Sequence, residues 1–168
     1  MRLAAGPVPD DADHGFHLRT VTDANVDQLI KLAVTPEQQE LVAPVATSLA
    51  QASVLPPGRP LAIYDGDEAV GLLLLWDARR DPDEPSDQLW IWRLLIDAKH
   101  QRKGYGARTI RWVIDEARRL GVPTVGLSHR MLPGHAGPFY EKLGFRYTGK
   151  VKHEEHVMAR PATEAGHG

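Results

Sequence analysis

Residues 101–106, with the sequence Gln-Arg-Lys-Gly-Tyr-Gly, join two stretches of different pattern and restrict the fold most strongly. The preceding stretch, 89–96, is apolar and aromatic apart from one arginine, which predicts a buried strand. The following stretch, 107–120, repeats apolar residues at helical spacing and is followed by Gly121, which predicts a helix with a glycine cap. Two glycines let the backbone approach a ligand beside the unpaired N–H groups of the first helical turn. Such a turn binds anions such as a pyrophosphate.

The spacing of this loop excludes two other phosphate-binding motifs. It lacks the G-x-x-x-x-G-K-[ST] pattern of a Walker A loop. It also lacks the third glycine and the later acidic residue of a dinucleotide fingerprint. Taken alone, the six residues are equally well explained as a surface turn with a basic cluster, so the surrounding sequence has to decide.

The remaining pattern alternates between strands and helices and predicts an α/β (α+β) chain. The strand at 89–96, the long helix and the strand after it should form a right-handed crossover that leaves the two strands parallel. The sequence predicts, in order, a strand at 16–19, two or three short helices within 22–54, an antiparallel meander over 61–96, a strand at 124–128, a short helix at 138–143 and a strand pair at 145–150 and 156–160.

Length and charge exclude several classes of protein. The 168 residues predict one domain over 16–160, with a poorly ordered segment at 1–15 and a flexible tail at 161–168. Lys and Arg number 20 against 22 Asp and Glu, so no basic excess points to nucleic acid or a membrane surface. The absence of cysteine excludes disulfides, thiolate metal sites and a cysteine nucleophile. The longest apolar run, 69–76, is far shorter than the roughly 20 residues that span a bilayer, and we expect a cytoplasmic protein.

Two motifs together identify a family. The Q-x-x-G-x-G pattern at 101–106, followed by Phe-Tyr-Glu-Lys-Leu-Gly-Phe at 139–145, resembles the GNAT superfamily of acetyl-CoA-dependent N-acetyltransferases. Short stretches of the chain are similar to bacterial spermidine/spermine (polyamine) acetyltransferases, namely 35–39, 42–44, 48–52, 61–64, 70–71, 90–93 and 96–97. The resemblance covers residues 16–160 and implies the GNAT fold, a mixed, mostly antiparallel sheet of six to seven strands flanked by about four helices.

The same resemblance implies roles for individual residues. Tyr140 should protonate the departing thiolate, although a core tyrosine is the alternative. Many relatives carry Asn where this chain has Pro133, so no side-chain role is assigned to 132–138. The backbone of Leu94, Leu95 and Ile96 should pair with the pantetheine arm, and the pyrophosphate should be held by Gln101, Arg102, Lys103, Gly104, Tyr105, Gly106 and Ala107.

The predicted reaction moves an acetyl group from acetyl-CoA to a primary amine. The resemblance favours a polyamine such as spermidine as that amine. Direct transfer in a ternary complex follows from the lack of a cysteine carrier. The acceptor ammonium must lose a proton to water or to a carboxylate, for which Glu37, Glu154 and Glu155 are candidates. These three glutamates and Trp92 are the predicted substrate-binding residues.

Two other functions stay open at this stage. One is acetylation of protein lysines or N-termini, and the other is a non-catalytic acyl-CoA-binding module. His129 and His135 lack metal-ligand spacing, so no metal is expected. The expected partner is a small-molecule amine, with no nucleic acid and no membrane, and the pattern is compatible with a homodimer.

Overall fold

A seven-stranded sheet organises the protein, which a computed structural model describes over residues 15–163. The strand order is β1-β2-β3-β4-β5-β7-β6, and all neighbours are antiparallel except the parallel pair β4–β5. The fold class and the parallel pair predicted from the sequence are both confirmed. The strands are β1 Phe16–Thr20, β2 Gly58–Asp65, β3 Glu68–Asp77, β4 Gln88–Ile96, β5 Thr124–Arg130, β6 Arg146–Lys152 and β7 Glu155–Pro161; the α-helices are α1 Val26–Ile30, α2 Val45–Val54, α3 Tyr105–Leu120 and α4 Gly137–Lys142.

Helices cover both faces of the sheet. The apolar stripe of α3, including Ile110 and Val113, packs with the apolar residues of α4 in the larger core. Leu29 of α1 and Val45 of α2 pack against the opposite face in a second core. Strand β3 is buried over most of its length because it lies between these two layers, as its continuous apolar run predicts.

The segment before α2 is less helical than its sequence pattern predicts. The sequence predicts helices from residue 22 onward, but α1 begins after Asn25, whose side-chain oxygen accepts the Thr22 N–H at 2.9 Å. That bond stabilises a turn in place of the first helical residues. Between α1 and α2 the chain forms a single 3₁₀ turn, Pro36–Gln38, instead of another α-helix, and then runs irregularly to Pro44.

A one-residue bulge in β4 changes which of its side chains face each core. Leu74 of β3 lies opposite Arg93 and Leu75 lies opposite Ile91, so Trp92 has no direct partner in β3. Before the bulge, odd-numbered residues such as Ile91 face the larger core. After it, Leu94 and Ile96 pack against that core and Leu95 enters the second one.

Strands β4 and β5 separate partway along their length. Their ladder runs from Gln88 opposite Thr124 to Ile91 opposite Leu127, and both strands then continue without pairing to each other. The edge of β4 that faced β5 is therefore open from residue 92 onward. This separation makes a wedge in the middle of the sheet.

The described chain stays packed slightly beyond the expected domain limit of 160. Ala162 is buried, and its N–H donates to the carbonyl of Pro123 at 2.9 Å. The remainder of the two predicted terminal segments, 1–14 and 164–168, lies outside the described residues. None of the helices within 15–163 has the length and apolar composition needed to cross a bilayer.

Candidate active site

A cleft of about 710 Å³ occupies the wedge between β4 and β5. The irregular chain at 38–43 forms one wall, and α4 with the turn before it forms another. The loop that leads into α3 lies in the same cleft. Residues that are distant in sequence therefore share one solvent-accessible space.

The loop before α3 has the backbone conformation of an anion site. Arg102 and Gly104 have positive φ values of 63° and 87°, which turn successive N–H groups toward one side. The first intrahelical bond joins the Arg108 N–H to the Gly104 carbonyl at 3.1 Å, so the N–H groups before it lack helical acceptors. This geometry fits a pyrophosphate. The predicted residues that line the cleft are Gln101, Arg102, Gly104, Tyr105, Gly106 and Ala107, whereas Lys103 is exposed outside its wall.

The first residue of α3 is anchored to the β2–β3 turn, which lies at the end of the sheet where β4 terminates. The Tyr105 hydroxyl donates to the Asp65 carboxylate at the β2–β3 turn, and the ring stacks on Phe16 at a centroid distance of 6.5 Å. The hydrogen bond to Asp65, more than burial, raises the pKa of Tyr105. Because the hydroxyl stays protonated, it keeps donating to Asp65, and this bond holds the first residue of α3 in place.

Tyr140 is buried on α4 and borders the cleft. Its ring packs edge-on against Phe139 and Phe145, with centroids 5.0 and 5.5 Å away. Gly144, with φ of 89°, turns the chain so that the Phe145 N–H bonds to the Tyr140 carbonyl at 3.1 Å. Burial raises the pKa of Tyr140, so its hydroxyl remains a proton donor at neutral pH.

A half-buried carboxylate lies on the other side of the wedge. Glu155 begins β7, lines the cleft, and accepts a hydrogen bond from the Ser128 hydroxyl at 2.5 Å. Ser128 follows Leu127, the last residue of β5 that pairs with β4. Burial lowers the pKa of the nearby Arg93, and the negative charge of Glu155 opposes that shift.

The structure separates the four predicted substrate-binding residues into two groups. Trp92 and Glu155 line the cleft. Glu37 lies on the exposed side of its 3₁₀ turn, outside the cleft wall. Glu154 is also outside it: its side chain is 83% exposed in the β6–β7 turn and lies 3.5 Å from Arg130. Glu40, on the wall formed by residues 38–43, is a second cleft carboxylate.

Two histidines that received no role from the sequence also line the cleft. The His129 and His135 rings stack at a centroid distance of 4.9 Å. His129 Nε2 lies 3.0 Å from the Tyr147 hydroxyl, within hydrogen-bond distance, and His135 Nδ1 accepts the Gly137 N–H at 3.1 Å. His135 therefore supports the start of α4 directly, and His129 contacts it through the stacked His135 ring. No group of three or more His, Asp or Glu side chains suited to a metal occurs within residues 15–163.

Comparisons with known proteins agree on one family. The profile of the Acetyltransferase (GNAT) family matches residues 19–145. A Bacillus subtilis spermine/spermidine N(1)-acetyltransferase is 24% identical over 148 residues, which are 86% of this chain and 97% of that protein. An acetyltransferase structure from Thermus thermophilus superposes with a TM-score of 0.70 at 22% identity, covering 87% of this chain and 96% of that one. A Bacillus subtilis acetyltransferase solved with CoA gives a TM-score of 0.63 at 18% identity, covering 87% and 97%.

Proposed function

The chain belongs to the Acetyltransferase (GNAT) family and is an acetyl-CoA-dependent N-acetyltransferase, and from this we propose that it acetylates a primary amine of a polyamine such as spermidine. The transfer is direct and takes place in a ternary complex. One observation carries the proposal: an anion-binding loop, a buried protonated tyrosine and a half-buried carboxylate border the same cleft.

The donor half of the site is built from backbone groups. The loop residues from Gln101 to the first turn of α3 hold the pyrophosphate of acetyl-CoA, because their N–H groups have no helical acceptors. The open edge of β4 at Leu94, Leu95 and Ile96 pairs with the pantetheine arm. The Leu95 side chain is buried in the second core and its backbone faces Leu72 of β3, so the backbone groups at the open edge come from Leu94 and Ile96.

Two side chains move protons in this proposal. An alkylammonium, with a pKa of about 10.4, is almost fully protonated at neutral pH and cannot attack until it loses a proton. Glu155 accepts that proton, because it is the half-buried carboxylate on the cleft wall and Ser128 holds it in place. Tyr140 donates a proton to the departing thiolate. The overall reaction converts an ammonium and a thioester into an amide, a thiol and one released proton.

A polyamine suits the distribution of acidic side chains in the cleft. Glu155 and Glu40 come from different elements of the wall, so each can attract a separate ammonium group of one extended acceptor. The similarity to a spermine/spermidine N(1)-acetyltransferase supports the same substrate class. Such long-range attraction between exposed charges weakens over about 8–10 Å at physiological ionic strength.

An amine panel tests the proposal, with thiol release from acetyl-CoA as the readout. We expect the highest kcat/KM for spermidine, lower values for a monoamine and for a peptide N-terminus, and a fall in the spermidine value as salt rises. Preferential turnover of the peptide would support protein acetylation instead. Acetyl-CoA binding without turnover of any amine would support the non-catalytic binding module.

A further inference from the structure

Two glutamine side chains connect the acceptor wall to the pyrophosphate loop. Gln101 Nε2 donates to Gln38 Oε1 at 2.7 Å, and Gln38 Nε2 donates back to Gln101 Oε1 at 3.2 Å. Each amide thus acts as donor and acceptor toward the other, across 63 residues of sequence. Both side chains are partly buried and line the cleft.

Each glutamine is also fixed to the backbone of its own segment. Gln101 Nε2 donates to the carbonyl of Ile96 at the end of β4, at 3.0 Å. Gln38 Oε1 accepts the Thr35 N–H at 3.4 Å, which is one half of a capping box. The amide pair therefore joins the end of β4 and the loop before α3 to the start of the acceptor wall.

The wall beyond Gln38 is held by a backbone hydrogen bond, from the Leu41 N–H to the Gln38 carbonyl at 2.9 Å, and by Val42, which packs against the second core. Between the 3₁₀ turn and α2 it forms no regular helix or strand, yet residues 38–43 all border the cleft. A second hydrogen bond to the end of β4 occurs earlier in the chain, where the Ala33 N–H donates to the Asp97 carboxylate at 3.0 Å. Of these two contacts, the Gln38–Gln101 pair is the one that directly includes a residue of the 38–43 wall.

We propose that the Gln38–Gln101 pair couples acceptor binding to cofactor binding. Phosphates bound at residues 101–107 fix Gln101, Gln101 fixes Gln38, and Gln38 sets the position of the wall that contacts the amine. Both are positioning residues and neither touches the reacting atoms. The inference rests on the proposed function, because it assigns the 38–43 wall to the amine. Coupling of this kind is reciprocal, so spermidine tightens CoA binding by the same factor as CoA tightens spermidine binding.

Calorimetry on the full chain measures this coupling. The dissociation constant of spermidine is determined with and without saturating CoA, and their ratio is the coupling factor. We expect a factor of about 5 or more for the wild type. Gln38→Met keeps the side-chain length and removes the amide, and it should bring the factor close to 1. The affinity for CoA alone should stay unchanged in this variant.

A matched control separates coupling from a merely structural tie. Gln28→Met removes an amide that bonds to Tyr64 at 3.1 Å, away from the cleft, and should leave the factor at the wild-type value. Gln38→Glu keeps the oxygen that accepts from Gln101 and should retain part of the coupling. The double variant of Gln38 and Gln101 to Met should lose no more coupling than either single variant.

The outcomes distinguish this inference from the proposed function. A coupling factor of 1 in the wild type, or a wild-type factor in Gln38→Met, overturns the inference even when the enzyme acetylates spermidine normally. Failure of the wild-type chain to acetylate any amine overturns the proposed function and this inference with it.

Discussion

Gly104 and Gly121 delimit the two ends of α3 in the same left-handed conformation, with φ values of 87° and 70°. A Cβ built on either residue would meet no atom within 4 Å. Only Gly104 borders the cleft. The two positions therefore form a natural pair in which the same substitution has the same local cost but a different effect on the site.

The first prediction uses this pair. Gly104→Ala and Gly121→Ala should each lower the free energy of unfolding by about 1 kcal/mol, because alanine is strained at positive φ. Gly104→Ala should also weaken acetyl-CoA binding by at least tenfold, since the new Cβ and the altered backbone disturb the phosphate contacts. Urea denaturation and calorimetry measure the two effects. Equal acetyl-CoA affinity in the two variants would contradict the phosphate assignment.

The second prediction concerns the hydroxyl of Tyr140. Tyr140→Phe keeps the ring contacts with Phe139 and Phe145 and removes only the proton donor. We expect kcat to fall about 10- to 100-fold, at or below the usual contribution of a positioned acid, while the affinity for acetyl-CoA is unchanged. Steady-state kinetics and calorimetry test both parts.

A matched control for this change is Tyr64→Phe. Tyr64 is also buried, but its hydroxyl bonds to Gln28 in the other layer, so its loss should not affect kcat. The pH dependence gives a further check. Because burial raises the pKa of Tyr140, the wild-type kcat should show no loss of this acid near pH 10, the ordinary range for tyrosine. An unchanged kcat in Tyr140→Phe at every pH would end the assignment.

The third prediction separates two neighbouring glutamates. Glu155→Gln should lower kcat/KM for spermidine about 10²- to 10⁴-fold at neutral pH, because the acceptor ammonium loses its proton acceptor. The defect should shrink as the pH approaches about 10, where the amine is deprotonated by the solvent. Glu154→Gln is the control, since that side chain points into solvent. Equal effects of both changes, or a defect that does not vary with pH, would refute the role of Glu155.

The fourth prediction concerns stability. Glu116 is buried on α3 and accepts hydrogen bonds from Arg119 and Arg59; the Arg119 bond is the largest cause that lowers its pKa, against the effect of burial. A folded pKa below the unfolded value stabilises the protein above that unfolded value, and this stabilisation is lost as the pH falls through the folded pKa. Glu116→Gln should therefore cost about 1–3 kcal/mol at pH 7 and progressively less in acid.

Its control is Asp115→Asn, the adjacent acidic residue on the same helix. Asp115 is 70% exposed and pairs with Arg118 on the surface, so its loss should change the free energy of unfolding by less than about 0.5 kcal/mol. Urea denaturation of the three proteins at pH 7 and in acid provides the comparison. A cost for Glu116→Gln that stays constant with pH would show that its charge contributes nothing.

Sequence patterns predicted most of the strands and α3 closely because each has one strong period and a clear end. The meander, for example, follows from the apolar run of β3 and the Asp65–Gly66 turn. The segment around α1 was predicted less well. There, the Asn25 side chain bonds to the Thr22 N–H and stabilises a turn, and single-sequence propensity does not anticipate that competition.

The candidate site shows the same division. The loop at 101–106 and Tyr140 could be predicted because each belongs to a short sequence motif. Glu154 and Glu155 are equivalent in the sequence, but Glu154 occupies the β6–β7 turn with φ of 66° whereas Glu155 starts β7 and faces the cleft. A shift of one residue in register would exchange them, and no local pattern fixes that register. The partnership of Gln38 with Gln101 depends on the tertiary fold and leaves no local signal.

The bulge at Trp92 limits how β4 can change in length. Trp92 is the extra residue, since Ile91 and Arg93 lie opposite the consecutive residues Leu75 and Leu74. Deleting Trp92 would therefore leave a regular ladder, with Leu94 and Ile96 still against the larger core and Leu95 still in the second one. Deleting one residue between 94 and 96 would instead shift the register on one side of the deletion and exchange the faces of the side chains there. A one-residue deletion in β4 should accordingly be tolerated far better at position 92 than at positions 94–96.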